Sequence, residues 1–119
     1  MRINMPKSII LIRSIFLISI LIILYLSLVP SFEIPVFASL SFAIDKVVHF
    51  FIFLYISILG LISKFRFSKR AILICVFGFG LMIEIIHFYH PYRFFEIADI
   101  IANSLGILLA SFLFKKKTI

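Results

Sequence analysis

Three short groupings in the chain bring acids, bases and amides together at helical spacing. Asp45, Lys46 and His49 form the first, and Asp45 and His49, four residues apart, share a helix face. Glu84 and His87, three apart, form the second. Asp99, Asn103 and Gly106 make a single stripe, with Arg93 just ahead of it. Two kinds of chemistry suit these residue types. An imidazole oriented by Asp45 or Asp99 serves as a general acid or base, while Lys46 and Arg93 stabilise developing negative charge. The same residues also suit simple recognition, because an arginine fork donates in pairs to a phosphate or carboxylate. No nucleophile with an attached base can be read from the chain, since Ser104 adjoins Asn103 but lies off its face. His49, Glu84, His87, His90 and Asp99 are credible metal ligands, and Glu84 with His87 has the Glu-x-x-His spacing of carboxylate-bridged metal bundles. Those bundles need a second such motif and two further glutamates. The chain has one motif, and no His-Glu-x-x-His, Gly-rich phosphate loop or Gly-x-Ser-x-Gly elbow. The sequence therefore predicts no metal and no cofactor.

The elements that position these residues are greasy. Of 119 residues, 64% are hydrophobic and 14% charged, and the mean hydropathy is +1.27. So small a chain cannot hide that much apolar surface in a core of its own. A soluble or disordered protein is excluded, leaving an integral membrane protein. Four apolar runs reach spanning length: about 9–29, 47–63, 71–89 and 97–114. A helix needs about 20 residues to cross the hydrocarbon, within a range of about 17 to 25. Strands are far shorter, so the runs read as helices. Pro30, Pro35 and Pro91 fall between runs, and the sixteen phenylalanines are scattered through them as packing and lipid-facing residues. The single cysteine, Cys75, lies inside a run, so no disulfide framework is expected. The expectation is one all-α transmembrane domain over 1–119, a four-helix bundle.

The linkers orient it. Arg2, Lys7 and Arg13 open run one; Lys64, Arg66, Lys69 and Arg70 separate runs two and three; Lys115, Lys116 and Lys117 follow run four. Ten of the twelve basic residues thus fall on one side of a chain that crosses four times. The positive-inside rule makes that side, and both termini, cytoplasmic. The same rule accounts for the net charge of +7 without nucleic acid. Run one also has a signal-peptide look, with Ala38 and Ala43 as small residues for cleavage, but its uncharged stretch is long for that role, so it reads as a retained span. All the polar groupings then lie toward the outer surface. Glu84 sits about 7.5 Å inside the Tyr89 end at 1.5 Å per residue. An acid or base at the centre of a span costs about 2.5 to 3.5 kcal/mol. Each residue taken singly has a structural use: Asp45 and Asp99 as caps, Lys46 snorkelling, Asn103 and Gly106 joining helices. Their convergence on one end favours a site made of Asp45, Lys46, His49, Glu84, His87, Arg93, Asp99 and Asn103.

The order and spacing of these residues resemble the VanZ-like family of small bacterial membrane proteins. The resemblance runs from a Leu-Ser-x-x-Pro turn, here Leu26, Ser27 and Pro30, through Asp-Lys-x-x-His-Phe at Asp45, Lys46, His49 and Phe50. It continues with Glu84, Pro91, Arg93 and the Asp-x-x-x-Asn-x-x-Gly of Asp99, Asn103 and Gly106. Two positions depart from the family pattern: His87 replaces a usual glutamine, and Tyr92 a usual small residue. The resemblance implies a multi-pass protein of the bacterial plasma membrane and a cell-envelope role, the founding member being associated with resistance to the glycopeptide teicoplanin. It supplies no reaction. Membrane lipid and an anionic lipid-linked or cell-wall ligand are the partners it suggests; the oligomeric state stays open. The alternative is a small enzyme acting on a lipid-linked phosphate or ester with His49 as acid or base.

Overall fold

The computed structural model describes residues 6–28, 42–89 and 96–114. They form four helices: α1 (Lys7–Leu28), α2 (Phe42–Ile62), α3 (Lys69–Tyr89) and α4 (Ile97–Leu113). No strand occurs among the described residues. The first three are long and apolar enough to cross a membrane. The fourth has 17 residues, about 25 Å of helix at 1.5 Å per residue, at the lower limit for a span.

The second helix starts earlier than hydropathy predicts, at Phe42 and not Val47. Asp45 and Lys46 look like the end of an apolar run, yet they lie within its first turns. Their charges are tolerated there because Lys46 is surrounded by carboxylates. The third helix likewise starts at Lys69, two residues before the apolar run. Ser68 Oγ accepts a hydrogen bond from Ala71 N–H at 3.1 Å and so caps that start.

The helices run alternately up and down. At one end Arg13 of α1 reaches the carbonyls that close α2: its Nε donates to Ser63 O at 2.8 Å and its Nη2 to Lys64 O at 2.5 Å. Lys64 adopts a left-handed conformation, φ 56°, and the guanidinium also stacks 5.1 Å from the Phe65 ring centroid. An otherwise costly intramembrane arginine thus satisfies carbonyls that a helix end leaves without partners. Beside it, Lys69 Nζ donates to Ser111 O near the end of α4, at 2.8 Å. Ser27 and His87 meet at the opposite end.

Phe53, Ile56, Val76 and Ile107 form the buried core, with Phe16, Ile20 and Ile23 of α1 packed against it. The broadest interface joins α2 to α4, which are not consecutive in the chain. Gly106 sets its closeness. A Cβ there would overlap the Phe50 carbonyl oxygen and lie 2.9 Å from Leu54 N. Small residues allow such backbone contact between membrane helices. The exterior carries large apolar side chains, among them Leu21, Ile74, Leu108 and Phe112, while α1 has no buried residue at all. An outside as apolar as the inside belongs in lipid.

Candidate functional site

Lys46 organises the end of the bundle opposite Arg13. Its ammonium donates to Asp45 Oδ2 at 2.9 Å, to Asp99 Oδ1 at 2.5 Å, and to Glu96 Oε1. One cation on α2 therefore gathers carboxylates from its own helix and from the start of α4. Charge-assisted bonds of this kind are the strong ones.

His49 lies one turn further in. Its Nδ1 is 3.3 Å from Asn103 Oδ1, which can only accept, so Nδ1 carries the hydrogen of that bond. Its Nε2 stands 3.7 Å from Asp45 Oδ1 and 3.7 Å from Asp99 Oδ1. The ring thus reaches from α2 to α4, with two carboxylates near its far nitrogen.

Glu84 and His87 of α3 form the floor, and both are buried. Glu84 Oε1 accepts the backbone N–H of Glu96 at 3.2 Å. His87 Nε2 donates to the Ser27 carbonyl at 3.0 Å, bringing α1 into the network. His87 Nδ1 faces Glu84 Oε2 at 3.5 Å. Gly80 makes room alongside: a Cβ there would lie 3.0 Å from Asn103 Nδ2 and 2.8 Å from the Phe53 ring.

Asp45, Lys46, His49, Glu84, His87, Asp99 and Asn103 thus come together, from three helices, at one end. Arg93 and His90 lie outside the described residues. Glu96 belongs to the cluster and was not among the residues the sequence selected. It binds Lys46 by its side chain and Glu84 by its backbone. The available signal was its position immediately before the fourth apolar run, three residues ahead of Asp99. Ser27 was visible as part of a turn motif, but its carbonyl contact was not.

Two sets within the cluster have donor atoms close enough to share a metal ion: Asp45, His49 and Asp99, and Glu84, His87 and Asp99. Chemically the arrangement offers a partly exposed rim of hydrogen-bond acceptors over a buried floor. Asp45 and Glu96 side chains are 35% and 36% exposed, His49 20%, Asp99 5% and Glu84 0%.

Fold and cluster together define a small helical membrane protein with an ion-paired network at one end. The chain belongs to the VanZ/LLP1 family, whose model matches residues 9–118. It is 35% identical over 102 residues to the "uncharacterized protein C11E3.10" of Schizosaccharomyces pombe, an alignment covering 82% of this chain. The same alignment covers 58% of the yeast protein, so the chain matches less than two thirds of that relative's length. No solved structure matches the chain.

Proposed function

We propose that this protein crosses the plasma membrane four times, with both termini in the cytoplasm, and binds a polar lipid-linked head group at its outer end. The observation that carries this reading is the partly exposed rim of Asp45, His49 and Glu96 over the buried Glu84, Asp99 and Asn103. A network built only to join helices has no need to leave Asp45 and Glu96 about a third exposed. Lys46 is already engaged by three carboxylates, so the rim accepts hydrogen bonds better than it donates them. Hydroxyl or amine groups on a ligand suit it. The anionic part of the ligand falls to Arg93, three residues before Glu96, whose fork suits a phosphate or carboxylate. An anionic phospholipid or a lipid-linked cell-wall precursor has both features. A yeast relative supports a ligand common to many membranes over one confined to a bacterial wall. Teicoplanin tolerance would then follow from altered envelope lipid chemistry.

The test uses Arg93→Lys and Glu96→Gln, scored beside membrane abundance. Binding is measured with phosphatidylcholine vesicles with and without polyprenyl phosphate, and tolerance by expression in a teicoplanin-sensitive bacterium. Arg93→Lys keeps the charge but loses the fork, and should weaken vesicle binding by about tenfold, the worth of one lost paired hydrogen bond to a charged group. Losses that merely track abundance would reduce the cluster to helix-joining polar contacts.

One observation favours a second reading. His49 combines partial exposure with two carboxylates at Nε2 and an amide at Nδ1, the surroundings of an imidazole held for proton transfer. Release of inorganic phosphate from polyprenyl phosphate by the reconstituted protein, lost in His49→Gln, would favour an enzyme over a binding protein.

A further inference from the structure

We propose that Glu84, His87 and Asp99 hold a divalent transition-metal ion between α3 and α4. The argument starts from one hydrogen atom. Ser27 O can only accept, so the 3.0 Å bond to His87 Nε2 places a hydrogen on that nitrogen. In a neutral ring His87 Nδ1 is then a bare lone pair. It points at Glu84 Oε2, another acceptor, across 3.5 Å. Both side chains are buried, and neither atom has a hydrogen-bond partner among the described residues. Two buried acceptors facing each other need a positive species between them.

The geometry fits a metal. Two ligands of a tetrahedral ion with bonds of 2.0 to 2.2 Å stand about 3.3 to 3.6 Å apart. Asp99 has a carboxylate oxygen within 4.8 Å of both other ligand atoms, so it would ligate after a small inward movement. Three protein ligands leave a fourth position open. The outer contacts are those a metal site requires. Ligating histidines donate their other ring N–H to a carbonyl or carboxylate, as His87 does to Ser27, and ligating carboxylates are themselves hydrogen-bonded, as Glu84 is by Glu96 N–H. One nitrogen and two oxygens suit zinc, manganese or iron(II) rather than a thiophilic ion. In the neighbouring set of Asp45, His49 and Asp99 both carboxylates are already bridged by the Lys46 ammonium, 2.9 Å from Asp45 and 2.5 Å from Asp99; in the proposed set Lys46 contacts Asp99 alone, through Oδ1.

This inference stands apart from head-group binding, because its test contains no lipid beyond detergent. The untagged full chain, purified in detergent and stripped with chelator, is titrated with Co2+ and with Zn2+. Stoichiometry, the visible Co2+ spectrum and the thermal midpoint are read. The expected result is one ion per chain, a four-coordinate Co2+ spectrum and a raised midpoint with Zn2+. His87→Gln keeps an N–H for Ser27 and removes the ligand nitrogen, so affinity should fall by at least the roughly 10- to 100-fold that outer-shell changes alone cost. Glu84→Gln should do the same, which covers failure of either variant to fold. His49→Gln should retain the ion. Binding lost in His49→Gln but kept in His87→Gln would overturn the assignment. So would a folded wild-type chain that takes up no ion, which would leave a shared proton between Glu84 and His87.

Discussion

Lys46 sits where three carboxylates would otherwise face one another. Removing a single partner from a mostly buried ion pair is costly, on the order of 3 to 5 kcal/mol, because the remaining charges lose compensation. Lys46→Met is therefore expected to lower the thermal midpoint in detergent strongly. Adding Asp99→Asn should restore part of the loss, since the double change removes the ammonium and its most buried carboxylate partner together. Midpoint shifts that simply add would mean the contact carries no stability. The residue types of this cluster were visible in the sequence, because a charge within an apolar run is conspicuous. Glu96 was not. It lies just outside the fourth run, and its place beside Lys46 depends on how α4 meets α2. The case against a metal also rested on chain-local motifs: a single Glu-x-x-His pair looks incomplete until the fold adds Asp99 from another helix.

The α2–α4 contact depends on what α4 lacks at Gly106. Gly106→Ala puts a methyl group against the Phe50 carbonyl and Leu54 N, backbone atoms that cannot rotate away. Overpacking of this kind costs about 1 to 3 kcal/mol. Gly78→Ala is the matched control, because a Cβ there meets nothing within 4 Å. It should leave the thermal midpoint unchanged or raise it, alanine being the better helix former by about 1 kcal/mol. Equal destabilisation by the two changes would show that helix propensity, not backbone proximity, governs Gly106. Hydropathy located every helix but placed the starts of α1, α2 and α3 late. Charged residues end an apolar run on paper; in the folded chain, ion pairing around Lys46 and the Ser68 cap carry the helix past them.

At the scale of the molecule, the described basic side chains other than Lys46 gather at the end opposite the acidic ones. Arg13, Lys64 and Lys69 lie at one end, and Asp45, Glu84, Glu96 and Asp99 at the other. In the topology we propose, the positive-inside rule puts the basic end in the cytoplasm. A cysteine at position 68, in a Cys75→Ser background, should react with an impermeant maleimide only after the cells are opened. Reaction in intact cells would reverse the orientation. That four helices should form was legible from run lengths alone; that α2 would choose α4 over its neighbour in sequence was not, since small residues such as Gly106 report close approach without naming the partner. This pairing has a bearing on synthesis. The chain is made from α1 to α4, so Lys46 reaches its membrane end long before Asp99 and Glu96 exist. Until the last helix is inserted, only Asp45 of the three carboxylates described around Lys46 is present, and His49 lacks Asn103. The charged end is therefore assembled last, as one closing step, and a nascent chain interrupted after α3 exposes to lipid or to a waiting insertase the ammonium that the finished protein conceals.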